Sequence, residues 1–405
     1  MRRLRRWAGP AAGGLVILLI AFSAGIWADQ TFPDIIPVLA PGRSPGRVDQ
    51  ATLNQAQRLV QAQYYDPKVD STKLTEGSIR GLVTSLGDPF SRYLTPQEFK
   101  DQQAGIAGRH TGAIGIFVAF EGGRPVVTGL LPGSPALAAG LRTGDVILAV
   151  SGHDTDGLGA DQTAALIQGP AGTSIKLHIR RGLAEQDVTV ERSNFQSPTV
   201  VSHQLAGGIL YIRIYQFGDA TQKEFDQALA ESLPGSNAVI LDLRDNGGGL
   251  VDAAASVISR FVASGEAFSR RGRDGRDQVT NVDGNHPAAT EPLTVLVNAN
   301  TASASEIVSG SLQAHHRAEL VGVRTFGKGS VQVDFQLRDG SVLHLTVEHW
   351  FLPDGRSING VGIPPDVSVA LPDPAAMFDV VQPQLGEAGD AQLAAAISLV
   401  QSGRP

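Results

Sequence analysis

With 405 residues the chain exceeds one small module and has room for two or three domains with real cores. It has no cysteine, which excludes disulfide frameworks, thiol nucleophiles and Cys-ligated metal sites, so any nucleophile carries oxygen or nitrogen. The net charge is −7, and residues 29–405 alone carry −11 with no basic stripe, which argues against nucleic acid as a partner.

The chain opens with Arg2, Arg3, Arg5 and Arg6, followed by 22 uncharged residues from Trp7 to Ala28. About 20 apolar residues span a hydrocarbon core, and flanking arginines stay on the cytoplasmic side. The same pattern suits a cleavable signal peptide ending near Ile26-Trp27-Ala28. Residues 1–28 are thus read as signal peptide or membrane anchor, with the working part outside the cytoplasm in either case. Residues 29–47, rich in Pro and Gly, read as a linker.

Apolar positions at helical spacing (Leu53, Ala56, Leu59, Val60, then Ile79, Leu82, Val83, Leu86) predict two or three helices within a segment 48–104, broken at Gly87-Asp88-Pro89-Phe90-Ser91. From 105 to 194 short β runs dominate (114–118, 126–128, 146–150, 175–179), with one helix near 160–168. The stretch Gly140-Leu141-Arg142-Thr143-Gly144-Asp145-Val146-Ile147 resembles the core signature of PDZ domains. Ala113-Ile114-Gly115-Ile116 is similar in position and type to their carboxylate-binding loop, except that Ala113 stands where glycine is common. Such a loop aims successive N–H groups at a terminal carboxylate, and the strand behind it pairs with the ligand. From 195 to 371 buried-strand runs alternate with helical runs, the mark of an α/β layer architecture, and 372–405 ends in an amphipathic helix over 391–399.

Three segments of 195–371 bear on chemistry. In Leu241-Asp242-Leu243-Arg244-Asp245-Asn246-Gly247-Gly248-Gly249 a buried strand enters a triple glycine and then a helix near 251–262. Such a turn can expose N–H groups to an oxyanion, or be only a turn; no GK[ST] follows to make it a phosphate cradle. In Asn298-Ala299-Asn300-Thr301-Ala302-Ser303-Ala304-Ser305-Glu306 a strand gives way to a helix through serines. Ser303 and Glu306 have capping-box spacing, yet a serine at a strand-to-helix turn can also be an exposed nucleophile. The third segment is Thr325-Phe326-Gly327-Lys328-Gly329-Ser330-Val331-Gln332. Only six of the 33 basic residues are lysines, so Lys328 is an uncommon choice for a mere surface cation. Lysine can shed its proton when desolvated and arginine effectively cannot; a solvated loop lysine is the plain alternative.

Together with Asp88-Pro89-Phe90-Ser91, these segments resemble the carboxyl-terminal processing proteases, tail-specific serine peptidases of family S41, in the family's own order from about residue 50 to 400. The resemblance implies an α/β (α+β) multidomain fold: a ClpP/crotonase-like protease core at 195–371 with an inserted PDZ domain at 105–194, a helical N-terminal segment and a helical tail at 372–405. It implies Ser303 as nucleophile, Lys328 as general base and Gln332 as the residue that orients the lysine. Glu306 supports the pair. The oxyanion donors are Ala304 and the glycine turn, Gly249 first and Gly248 next. Gly247 stands where the family usually has proline. Ala113, Ile114, Gly115 and Ile116 bind substrate, and no metal or cofactor is implied.

The chain is therefore expected to be an extracytoplasmic endopeptidase of the bacterial periplasm or cell envelope, acting on polypeptides with a free C-terminal carboxylate. Further partners are the membrane, if 1–28 stays attached, an adaptor protein and a second copy of the chain. The rival classes are a catalytically inactive PDZ scaffold and a Ser–His esterase. The latter is disfavoured because no G-x-S-x-G elbow follows a buried strand of 195–371 and because His315 and His316 read as ordinary helix residues.

Overall fold

The computed structural model describes residues 48–288, 290–371, 376–381 and 389–402, so the segments 1–28 and 29–47 lie outside the described residues. The chain forms two units, divided after Leu74. The described part of the first holds the helix Gln50–Gln63, capped by Asp49, whose carboxylate accepts from the N–H groups of Ala51 and Thr52 at 3.1 Å. The apolar positions of this helix are not buried: Leu59 is 54% exposed. Among the described residues no helix is long and apolar enough to cross a membrane.

The centre of the second unit is a six-stranded sheet ordered Val200–Leu205, Ile209–Ile214, Ala238–Asp242, Leu293–Val297, Glu319–Gly322, Val367–Ser368. The first pair is antiparallel and the rest parallel. Ile209–Ile214, Ala238–Asp242 and Leu293–Val297 are buried throughout, which is why they read as unbroken apolar runs rather than alternating ones. Successive side chains still point to opposite faces. Val239 and Leu241 pack with Val257 and Ile258 of the helix Val251–Ser259 and with Ile307 and Leu312 of the helix Ala304–Ala314. Ala238 and Ile240 pack with Leu393, Ala396 and Val400 of the terminal helix Ala391–Gln401. Helices thus cover both faces, as the α/β expectation requires.

A second, antiparallel sheet joins distant parts of the chain: Arg92–Leu94, Val342–Phe351, Glu266–Gly272 and Asp277–Asn281, with Ser330–Gln336 also on Val342–Phe351. The third sheet, Ile116–Glu121, Arg124–Leu130, Val146–Val150, Ser174–Arg181 and Ala184–Glu191, encloses its own core with Ile114, Val127, Leu141, Ile147, Leu177 and Ile179. Its first strand starts at Ile116, not at 114 as expected. Gly115 has φ +76°, and a Cβ there would lie 2.4 Å from Ser134 Cβ, so Ile114-Gly115 forms a loop open only to glycine.

Candidate active site

Two parallel neighbouring strands, Ala238–Asp242 and Leu293–Val297, end side by side, and the turns that follow them are laced together. Asp245 donates its N–H to Asn298 Oδ1 at 3.0 Å and accepts from the side-chain amides of Asn298 (2.9 Å) and Asn300 (2.8 Å). Asn246 is fully buried; its carbonyl accepts from Ala302 N (3.0 Å) and Ser305 Oγ (2.9 Å), and its side chain donates to Ile214 O (2.8 Å). Thr301 Oγ1 donates to Leu243 O at 2.8 Å. These polar residues fix the two turns against each other. The sequence reading missed them, since short polar side chains beside glycine look like ordinary turn formers.

The glycine turn lies directly against Ser303. A Cβ on Gly248 (φ +101°) would fall 2.8 Å from Ser303 Cβ and 2.9 Å from Ala304 N, so this approach exists only because the residue is glycine. The Gly248 N–H donates to Asn246 Oδ1 at 2.9 Å. This corrects its expected place among the oxyanion donors: its amide is spent, and what it supplies is the missing side chain. Among the described residues the N–H groups of Gly249 and Ala304 donate to no protein acceptor. Gly249 is held by Phe217, whose N–H donates to Gly248 O (2.9 Å) and whose carbonyl accepts from Leu250 N (2.7 Å).

Ser303 has φ 57° and ψ −119°, a conformation costly for any residue with a side chain. Its hydroxyl does not cap the helix Ala304–Ala314; instead the Ser303 carbonyl accepts from Glu306 N at 2.8 Å. Glu306 completes the other half of a capping box, accepting from Ser303 N at 2.9 Å. The same carboxylate, fully buried, accepts from Thr325 Oγ1 (2.5 Å), Gly327 N (2.7 Å) and Lys328 N (2.9 Å). Glu306 thereby binds the Ser303 turn and the Lys328 loop into one body.

The Lys328 loop is closed from its other side as well. Trp350 Nε1 donates to Lys328 O at 3.1 Å, and Gly327 and Gly329 abut residues 359–362 so closely that a Cβ on either would meet backbone at 2.8 Å. Burial, and then Arg92, lower the pKa of the Lys328 ammonium below the ordinary lysine value, with Asp88 and Glu306 pulling the other way. Its Nζ lies 5.0 Å from the ring centre of Phe90. Among the described residues no hydrogen bond joins Ser303 Oγ to Lys328 Nζ. Gln332 does not hold the lysine as expected: its amide donates to Ser330 Oγ (2.8 Å) and Thr346 Oγ1 (3.0 Å), because Ser330–Gln336 runs along Val342–Phe351 and carries it onto that sheet. His315 and His316 are not interior helix residues: His315 is the C-cap and bonds Glu266 O (2.7 Å), while His316 follows with φ 53°.

Asp242 and Arg244, which open the glycine turn, belong to a buried network. Arg244 pairs with Asp242 at 2.6 Å and with Asp390 at 2.8 Å, and Tyr211 donates its hydroxyl to Asp242. Burial opposes charge on Asp242, but Arg244 and Arg213 outweigh it and hold the carboxyl below the usual range.

The groove of about 380 Å³ on the third sheet is lined by Ala113, Ile114, Gly115 and Ile116, with Thr163 and Ile167 of the helix Ala160–Ile167 opposite. Ile116–Glu121 is an edge strand, free to pair with an added chain. Among the described residues the amides of Ile114 and Gly115 donate to no acceptor. Among the described residues no group of acidic, histidine or cysteine side chains could hold a metal ion.

Residues 208–369 match the model of peptidase family S41, 126–181 a PDZ domain, and 43–97 the N-terminal domain of activating protease CtpB. The carboxy-terminal processing protease CtpA of Bacillus subtilis is 35% identical over 325 residues, 79% of this chain and 69% of that protein. A protein named "Probable CtpA-like serine protease" from Staphylococcus aureus is also 35% identical, over 332 residues; the match takes in 80% of this chain and only 66% of the relative's length. Among solved structures, the photosystem II D1 C-terminal processing protease matches with TM-score 0.60 and 30% identity, over 82% of this chain and 89% of that one.

Proposed function

The chain belongs to peptidase family S41 and carries a PDZ domain, and from that premise we propose that it is a serine endopeptidase that captures polypeptide C-terminal tails and cleaves with a Ser303/Lys328 dyad. The observation that carries the reading is the Glu306 carboxylate, which ties a strained, strand-end serine to a loop whose lysine has a lowered pKa. Neutral Lys328 takes the Ser303 hydroxyl proton as Oγ attacks the scissile carbonyl. The resulting oxyanion lies against the unused N–H groups of Gly249 and Ala304. Lys328 then gives the proton to the leaving amine and, neutral again, takes a proton from water as the water attacks the acyl carbonyl; the Ser303 C–O bond breaks and Lys328 returns that proton to Ser303 Oγ.

The groove at Ala113–Ile116 supports tail capture: two unused amides beside an edge strand suit a carboxylate followed by an extended chain. Action outside the cytoplasm rests on Arg2–Arg6 and the apolar run to Ala28.

The test is degradation of an unstructured polypeptide with a free or an amidated C-terminus. Ser303→Ala and Lys328→Ala should abolish cleavage, and amidation should weaken capture. Cleavage at the wild-type rate by either variant would refute the dyad, and no cleavage by the wild-type chain would favour the PDZ scaffold.

A further inference from the structure

Phe90 enters the site from a turn far upstream in the sequence. Its own N–H donates to Asp88 Oδ1 at 3.1 Å, Ser91 Oγ donates to Asp88 Oδ2 at 2.6 Å, and Thr346 N donates to Ser91 Oγ at 3.0 Å. The next residues, Arg92–Leu94, pair with Val342–Leu343-His344 on the same strand. Phe90 is therefore set on the sheet that also bears Trp350, the residue holding the Lys328 carbonyl. Its ring meets Phe326 edge-on, centroids 6.4 Å apart, and presents its face to Lys328 Nζ at 5.0 Å.

An aromatic face attracts an ammonium through its quadrupole and has no such hold on a neutral amine. A ring in this place therefore discriminates between the two protonation states of one side chain. We propose that Phe90 is the positioning residue of the general base: it holds protonated Lys328 away from Ser303 and releases the neutral amine to it. The inference rests on the base role argued above for Lys328. It also accounts for a site in which every main-chain element is locked while the two reacting groups are not bonded to each other.

Two influences of Phe90 on the lysine oppose each other. The ring keeps water away, which favours the neutral form, and its face favours the charged form. The charged groups that act on Lys328 are Arg92 and Asp88 from the Phe90 turn and strand and Glu306 from the helix Ala304–Ala314. A Phe90→Leu change retains an apolar side chain and these charges while removing the π face. Phe90→Tyr retains the face.

With only six lysines in the chain, Lys328 can be followed directly in the full-length protein by NMR of ¹³Cε-labelled lysine, assigned by loss of its signal in Lys328→Ala. In Phe90→Leu the Lys328 midpoint should fall by about 0.5–1 pH unit, and the acidic limb of kcat/KM should move with it. Phe90→Tyr should leave both where they are. A midpoint that stays or rises in a folded Phe90→Leu protein overturns the proposal, as does a lower plateau with an unmoved limb, which is what a purely structural role would give. If Lys328→Ala cleaves normally, the base assignment fails separately, whatever the NMR midpoint does.

Discussion

Ser303 and Lys328 share one oxygen: Glu306 Oε2 accepts the main-chain N–H of each at 2.9 Å. The Ser303 turn and the Lys328 loop are thus registered through their backbones, whatever their side chains are doing. All four donors around this carboxylate point inward, so an acceptor-only group is required.

Glu306→Gln should therefore fail despite its matched shape. An amide must turn an NH₂ toward donors on one side, losing hydrogen bonds in a dry site. We expect a loss of about 2–4 kcal/mol in stability by urea denaturation and a fall in kcat of about 100-fold or more.

Adjacent glycines should respond in opposite ways. Gly248→Ala would force a Cβ against Ser303 and Ala304, and kcat should fall by about 100-fold or more with the circular dichroism spectrum retained. Gly247 has open space around its Cβ position, and Gly247→Ala should cleave within about twofold of wild type. Equal activities for the two variants would contradict the close approach of the glycine turn to Ser303.

The lowered pKa of Lys328 has a kinetic and a thermodynamic sign. With the neutral amine as the proposed base, kcat/KM should rise as pH rises through the folded midpoint, below the ordinary value of 10.5. Between the folded midpoint and the unfolded one, the unfolded chain binds the extra proton, so stability increases with pH there and the burial penalty is complete below. Lys328→Met should accordingly be inactive yet more stable at pH 7, by about 1–2 kcal/mol in denaturant titration. Lys328→Arg should be inactive too.

Asp390 caps the helix Ala391–Gln401, accepting Leu393 N at 2.9 Å, and also neutralises buried Arg244. Asp390→Ala leaves that charge short of a partner and should cost about 3–5 kcal/mol. The related acid limit follows from Asp242: its contribution is present above the ordinary carboxylate value and is lost as pH falls through its lower folded value. Acid unfolding monitored by near-UV dichroism should set in below about pH 4.

For the groove at Ala113–Ile116, proposed to take a C-terminal tail, Gly115→Ala should raise KM for a polypeptide with a free C-terminus while leaving kcat nearly unchanged, because the added Cβ strikes Ser134 and Phe195 and distorts the loop rather than the Ser303 turn. A change in kcat alone would place the defect elsewhere.

Buried parallel strands and the glycine and serine turns that follow them were readable because each carries a local signature, an unbroken apolar run ending in Gly or Ser. The Gly-Lys-Gly loop was readable through the rarity of lysine. What escaped was set by distant pairing. Nothing local marks Asn246 as the holder of the Gly248 amide, or sends the Gln332 amide to Ser330 and Thr346. Nor does the Asp88-Pro89-Phe90-Ser91 turn announce that its ring will face a lysine more than 200 positions later. The apolar positions of Gln50–Gln63 gave a helix correctly but not a buried face.

The pairing of Arg244 with Asp390 ties the entrance of the glycine turn to the start of the helix Ala391–Gln401. The strand that leads into the glycine turn, Ala238–Asp242, is finished early in synthesis, yet the neighbouring Arg244, paired locally with Asp242, gains its second buried carboxylate only once the chain has been made beyond residue 390. Arrival of that aspartate also starts the helix that closes the second face of the sheet. A nascent or truncated chain thus carries Ser303 and Lys328 on a sheet with one face uncovered until the helix Ala391–Gln401 docks.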